Sequence, residues 1–197
     1  MTTSISNKVS IRLMSGGHSF SAADIDTSLR NAASPVEVVV VTPRTTLVPQ
    51  ELFVKEHAAD YLGEVGLRPA LGEAVVYSSA KDGMVAVMAI SRKCLDALGE
   101  AIVAGVTFTT PLLDEPTVEC GAMIHLEDDV LYVRVFDSGL RFAEAIHCHN
   151  DADILYYVAN INAVYNIYNK NARATGDVKR LASVCRGLFK SIEYANN

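Results

Sequence analysis

Two short hairpin patterns of one design constrain the fold of this 197-residue chain more than any other feature. The first, VSIRL-MSGG-HSFSA, lies within residues 9–24, and the second, AMIHL-EDD-VLYVRVF, within residues 121–136. In each, an apolar strand-length run enters a short polar turn and returns, the pattern of a β-hairpin. Each opens one half of the chain, so the repetition predicts two copies of one strand–turn–strand–helix unit. We place the halves at residues 1–113 and 117–197, with the proline-bracketed stretch 111–116 (PLLDEP) as the linker.

Between the hairpins the pattern is of mixed α/β type. The run Val36–Val41 predicts a central strand buried on both faces. Residues 42–46 read as a loop, and Pro49 opens a helix over residues 50–62 that Gly63 and Gly66 end. A hairpin over residues 74–90 turns on Asp82-Gly83. Ser91 is placed to cap a helix running to Leu98, Gly99 stops it, and residues 101–109 form another strand. In the second half the hairpin gains a third strand, residues 141–147. Asn150 or Asp151 then caps a long helix over residues 153–169, and a final helix covers residues 178–194. No strand is expected between Asn171 and Gly176.

Composition excludes several classes. Half the residues are hydrophobic, enough for a sizeable core, yet no apolar run approaches the roughly 20 residues of a membrane-spanning helix. The polar N-terminus MTTSISNK lacks the apolar region of a secretory signal, which predicts a cytoplasmic protein without membrane insertion. Net charge is −6 and the basic residues are scattered, which disfavours a nucleic-acid partner. Cys94, Cys120, Cys148 and Cys185 stand singly, without the paired spacing of a zinc ribbon or redox dithiol, and read as reduced thiols.

Few residues carry chemistry. His147-Cys148-His149 puts two imidazoles on one strand face and Asp151 nearby, a two-ligand arm for zinc; the competing reading is a strand end entering a helix cap. Tyr156, Tyr157, Tyr165 and Tyr168 fall on more than one helix face, some for the core and the rest for a partner surface. The G-x-S-x-G, P-loop and dinucleotide-binding motifs are all absent.

The stretches VSIRLMSGGHSFS and TTLVPQELFVKEHAADYL resemble the DUF3822 family, bacterial proteins of unknown function found largely in Bacteroidetes. The resemblance covers residues 8 to about 170 and implies an actin-like ATPase fold, two ribonuclease-H-like halves around a nucleotide cleft. Family members usually continue through another strand with a glycine. Beyond residue 170 this chain departs from that pattern, so the second half is expected to be shortened.

In working proteins of this fold each hairpin turn is a phosphate loop, with a carboxylate for metal or water and glycine N–H groups for phosphate. The first turn here offers Ser15, Gly16 and Gly17 without an acid, whereas the second offers Glu127 and Asp128, followed by Asp129, without a glycine. These cleft residues therefore predict a degenerate site, with no catalytic residue, metal or cofactor assigned. The expected function is a non-catalytic interaction or scaffold module with a protein partner or homo-oligomeric assembly. The alternative is an ATPase or kinase-like protein binding ATP and magnesium, with acids such as Asp24 or Glu127. A metal-dependent nuclease is a third reading.

Overall fold

Five valines and one glutamate make up β2 (Val36–Val41), and every valine in it is buried. A strand apolar on both faces needs neighbours at both edges, and β2 has them. The computed structural model describes residues 10–14, 31–114 and 120–195. Within these, β2 runs parallel between β1 (Ser10–Met14) and β6 (Val106–Thr109), with Leu13 opposite Val40 and Val38 opposite Phe108. The expected turn Ser15, Gly16, Gly17, the returning strand at residues 18–22, and Asp24 lie outside the described residues.

A second three-stranded sheet, ordered β3-β5-β4, is antiparallel and built from β3 (Thr45–Pro49), β4 (Glu73–Tyr77) and β5 (Met84–Ser91). The β4–β5 hairpin turns on Asp82 and Gly83 as expected, with φ of 52° and 74°, the left-handed pair that a two-residue type I′ turn demands. Residues 42–46 were expected as loop, but Thr45 and Thr46 belong to β3. The Thr42 side chain accepts from Arg44 N (3.2 Å) and its carbonyl from Thr45 Oγ1 (2.9 Å), which confines the turn to residues 42–44.

The helix expected over residues 50–62 is broken. Pro49 ends β3, 3-10 turns occupy Gln50–Leu52 and Lys55–His57, and only α1 (Ala58–Glu64) is a regular helix. Phe53 and Val54 stay extended between them. The Tyr61 hydroxyl supports that break by accepting from Val54 N (3.0 Å) and donating to Leu52 O (2.6 Å), replacing helical hydrogen bonds. Helix α2 (Arg92–Ala101) runs through Gly99, because Leu98, Ala101 and Ile102 are buried in the first core. The following strand is therefore shorter than expected. Ser91 occupies the N-cap position without a side-chain bond, and Arg92 N donates instead to Gly72 O at 2.9 Å.

The expected linker is not a solvent-exposed tether where it is described. Its first four residues form α3 (Pro111–Asp114). Leu113 enters the core around Val38 and Val40, while Leu112 packs with Val41, Val130, Tyr132 and Ala145. This short helix thus joins the N-terminal sheets to the sheet that follows.

That sheet has five strands in the order β11-β10-β7-β8-β9. The hairpin of β7 (Cys120–Glu127) and β8 (Val130–Asp137) and the third antiparallel strand β9 (Leu140–His147) match the expectation. Helix α4 (Asp151–Tyr165) follows, with the Asn150 side chain accepting from Asp153 N. Two features correct the sequence reading. The stretch expected to hold no strand is β10 (Asn171–Gly176), parallel to β7. The expected final helix is divided into α5 (Val178–Val184) and β11 (Ser191–Tyr194), which runs parallel to β10. The short, alanine-rich β10 carries little strand propensity of its own; its buried seat beside β7 decides its form. With β10 present and ending in a glycine, the reason for regarding the second half as shortened disappears.

One face of this sheet carries Ile124, Leu126, Leu131 and Val133 against Ile154, Val158 and Ile161 of α4 and Leu181 of α5. Strand alternation sends Met123, His125, Tyr132, Arg134 and Thr175 to the opposite face. Tyr132 meets the first half of the chain there. No helix among the described residues is long and apolar enough to cross a membrane.

Candidate functional site

The β7–β8 turn consists of Asp128 and Asp129, both left-handed with φ of 46° and 59°. Aspartate is among the few L-residues that adopt this conformation readily, so two acids without a glycine satisfy the demands of a type I′ turn. At the turn, Asp129 meets an internal partner. Arg180 donates from Nη1 to Asp129 Oδ1 (2.7 Å) and from Nε to Asp151 Oδ1 (2.6 Å), tying the turn to the start of α4. Asp177 caps α5 by accepting from Arg180 N at 3.0 Å, which holds the arginine in place. The hydrogen bond to Asp129, then that to Asp151, raises the guanidinium pKa still further.

Glu127, at the strand end before the turn, faces the other way. Its Oε2 accepts a hydrogen bond from Arg12 of β1 and lies 3.0 Å from His125 Nε2. The other ring nitrogen, Nδ1, lies 2.9 Å from Thr175 Oγ1 on β10. The His125 side chain is only 5% exposed, so a connected polar chain runs from β10 through β7 to β1. Beside it the buried Tyr132 hydroxyl accepts from Thr42 N (2.8 Å) and contacts Thr42 O (3.3 Å). Burial raises the Tyr132 pKa, which keeps the phenol neutral and able to bridge.

Space at this face is small. A cavity of about 10 Å³, lined among others by Pro111, His125, Tyr132 and Thr175, is at the lower limit for one water molecule. A larger cavity of about 410 Å³ lies where the end of β4 meets β6, at the parallel bridge between Ser78 and Phe108. Its lining of Val76, Tyr77, Ser78, Ser79, Val106, Thr107 and Phe108 contains no carboxylate, imidazole or cysteine for acid–base or metal chemistry.

The His147–His149 pair has its rings 4.2 Å apart, edge to face. Cys148 between them points into the core, where burial, then the Asp153 charge, pushes its thiol up to about 11. The acids that would complete a metal site are engaged: Asp151 binds Arg180 and Asp153 accepts from His149 N at 2.8 Å. Among the described residues no group of three His, Cys, Asp or Glu could hold a metal ion.

Of the sequence candidates, Glu127 and Asp128 are seen at the turn and Ser15, Gly16 and Gly17 lie outside the described residues. Sequence reasoning missed Arg12, Thr175 and Arg180. Arg12 leaves a signal, a lone charge inside an apolar strand, matched by His125 at the equivalent place in the second hairpin. Thr175 leaves none, because its role depends on the unrecognised strand β10, and Arg180 leaves none, because its partners Asp151 and Asp129 lie 29 and 51 residues away.

Comparison with solved structures defines the fold. A Bacteroides thetaiotaomicron VPI-5482 protein, described as having an actin-like ATPase fold and unknown function, matches over 87% of this chain and 74% of its own, with TM-score 0.69 and 18% identity. The chain therefore has an actin-like ATPase fold. The cytoplasmic domain of EpsL, an inner-membrane component of the type II secretion system of Vibrio cholerae, is a weaker likeness. It covers 94% of this chain and 84% of that one at 15% identity, with a TM-score of 0.46, too low to bear on the argument. No protein-family model matches the sequence, and no curated protein matches it.

Proposed function

We propose that this chain is a non-catalytic module of the actin-like fold, an interaction or scaffold protein whose cleft is degenerate. The observation that carries this reading is the internal pairing around the second hairpin turn: Glu127 with Arg12 and His125, and Asp129 with Arg180. Carboxylates that hold a metal–nucleotide complex need lone pairs turned toward it, whereas these acids hold strands and helices together. We further assign the chain to the DUF3822 family on its two signature stretches. Residues 1–113 and 117–197 are read as its ribonuclease-H-like halves, and its working place as the cytoplasm without a nucleic-acid partner.

The test is an ATP turnover assay with magnesium on the full chain, beside Glu127→Gln and Asp128→Asn. Phosphate release should equal the protein-free blank in all three. Magnesium-dependent release that either substitution abolishes would overturn the reading in favour of an ATPase.

A further inference from the structure

Strands β4 and β6 are the outer strands of their sheets, and among the described residues they join at one place only, the parallel bridge between Ser78 and Phe108. The cavity of about 410 Å³ lies beside that bridge, walled by β4 on one side and β6 on the other. Ladder alternation fixes which backbone groups face it. Ser78 N donates to Ala86 O at 2.9 Å, so Ser78, Val76 and Ala74 turn their N–H and C=O toward β5, while Val75 and Tyr77 turn theirs to the free edge. Val36 lies opposite Val106 and its N donates to Gly105 O at 3.0 Å, so Val106 and Phe108 turn their groups away from β2. The bridge occupies Phe108. That leaves Tyr77 N–H and both backbone groups of Val106 toward the cavity, with no strand among the described residues paired to them.

We propose that this cleft binds an uncharged, extended peptide segment of a partner protein, which adds as a strand between β4 and β6. Backbone complementarity selects that occupant. An extended chain carries N–H and C=O groups along both of its edges, so a single strand answers two sheet edges at once. A compact small molecule does not repeat that pattern. The lining sets the class of peptide sequence, because it combines Val106, Phe108 and Tyr77 with the hydroxyl residues Ser79 and Thr107 and holds no charged group. A charged peptide side chain entering it would lose water without gaining a partner.

Recognition runs through the main chain, so it tolerates many uncharged sequences, and the contact is short enough to be reversible. This site rests on the interaction reading proposed above and supplies its surface and its class of partner. The test involves no nucleotide, so its failure is distinct from a positive ATP turnover result.

The probe is an acetylated and amidated pentapeptide of alternating threonine and valine, titrated to about 5 mM into the isotope-labelled full chain and followed by amide NMR shifts. The amides of Tyr77 and Val106 should shift and saturate, with Kd of about 1 mM or below. The same peptide N-methylated at alternate residues lacks the donors of one edge and should bind at least about fivefold more weakly. Ser79 is exposed at the cavity, so Ser79→Trp should obstruct it, weaken binding at least about fivefold and keep the wild-type circular dichroism spectrum. The methylated peptide acts on the wild-type chain, so it decides the matter even where the tryptophan disturbs the fold. Any one of three results overturns the proposal: no shift at Tyr77 or Val106 up to about 5 mM, a loss smaller than about fivefold on N-methylation, or a loss smaller than that in a folded Ser79→Trp chain. The second result would mark adsorption through side chains rather than strand addition.

Discussion

Replacing Tyr132 by phenylalanine removes one oxygen atom and tests whether the two halves of the chain are locked through their facing side chains. The ring stays in the cluster with Val41, Leu112 and Ala145, so apolar burial hardly changes. What is lost is the bond from Thr42 N at 2.8 Å and the longer contact to Thr42 O at 3.3 Å. Thr42 is 2% exposed, so its N–H would be stranded away from water. An orphaned buried donor costs roughly 1–3 kcal/mol. At about 2–4 °C per kcal/mol for a chain of this size, a central cost of about 2 kcal/mol lowers Tm by about 4–8 °C. Urea unfolding followed by circular dichroism measures the same quantity, with Tyr156→Phe on the exposed face of α4 as the control expected within about 0.5 kcal/mol of wild type. The pH dependence supplies a second readout. Burial raises the Tyr132 pKa in the folded state, so its contribution is fully present below the unfolded value near 10 and is lost as pH rises above it. Wild type should therefore lose stability more steeply than Tyr132→Phe above pH about 10. A Tyr132→Phe chain as stable as wild type, with the same alkaline slope, would refute the bridging role.

Gly176→Ala should be severely destabilising. The residue has φ of 78° and an added Cβ would lie 2.2 Å from Leu126 O, so a loss of at least about 2 kcal/mol is expected in urea unfolding; a change within about 0.5 kcal/mol would contradict the packing of β10 on β7. Arg180→Met breaks the ties to Asp129 and Asp151, whose side chains are half-exposed. The loss should be near about 1 kcal/mol in low salt and should shrink in about 1 M NaCl, whereas a salt-independent loss would argue against an electrostatic tie. A thiol reagent at pH about 8 should modify the exposed Cys120 promptly, leaving Cys148 and Cys185 protected until the chain unfolds. Burial pushes both thiols up to about 11, so their stabilising contribution is present below pH about 9 and fades as pH rises through about 11. Prompt reaction of all four thiols in the native chain would contradict the core assignment.

Local patterns in the sequence identified those elements whose residues specify them alone. The valines of β2, the Asp82-Gly83 turn and the three-stranded run from β7 to β9 all carry their own signals: β-branching, left-handed turn residues and strand-length apolar runs. Elements that depend on distant partners were misread. β10 is alanine-rich and becomes a strand by lying beside β7, and the broken segment at residues 50–64 depends on the Tyr61 hydroxyl reaching back to Leu52 and Val54. The same division runs through the candidate site. Glu127 and Asp128 were visible as acids in a turn, but the groups that meet Glu127 and Asp129, Arg12 and Arg180, lie 115 and 51 residues away.

The central claim, an actin-like fold whose cleft binds no nucleotide, is tested most directly by thermal unfolding with and without about 1 mM ATP and magnesium. A site with Kd near 10 μM would be at about a hundredfold excess of ligand, which adds about 2.7 kcal/mol to stability. That is about 5–11 °C in Tm for a chain of this length. A Tm that stays within about 1 °C of the nucleotide-free value agrees with the degenerate cleft. A rise of several degrees with ATP and magnesium, absent with magnesium alone, would contradict it.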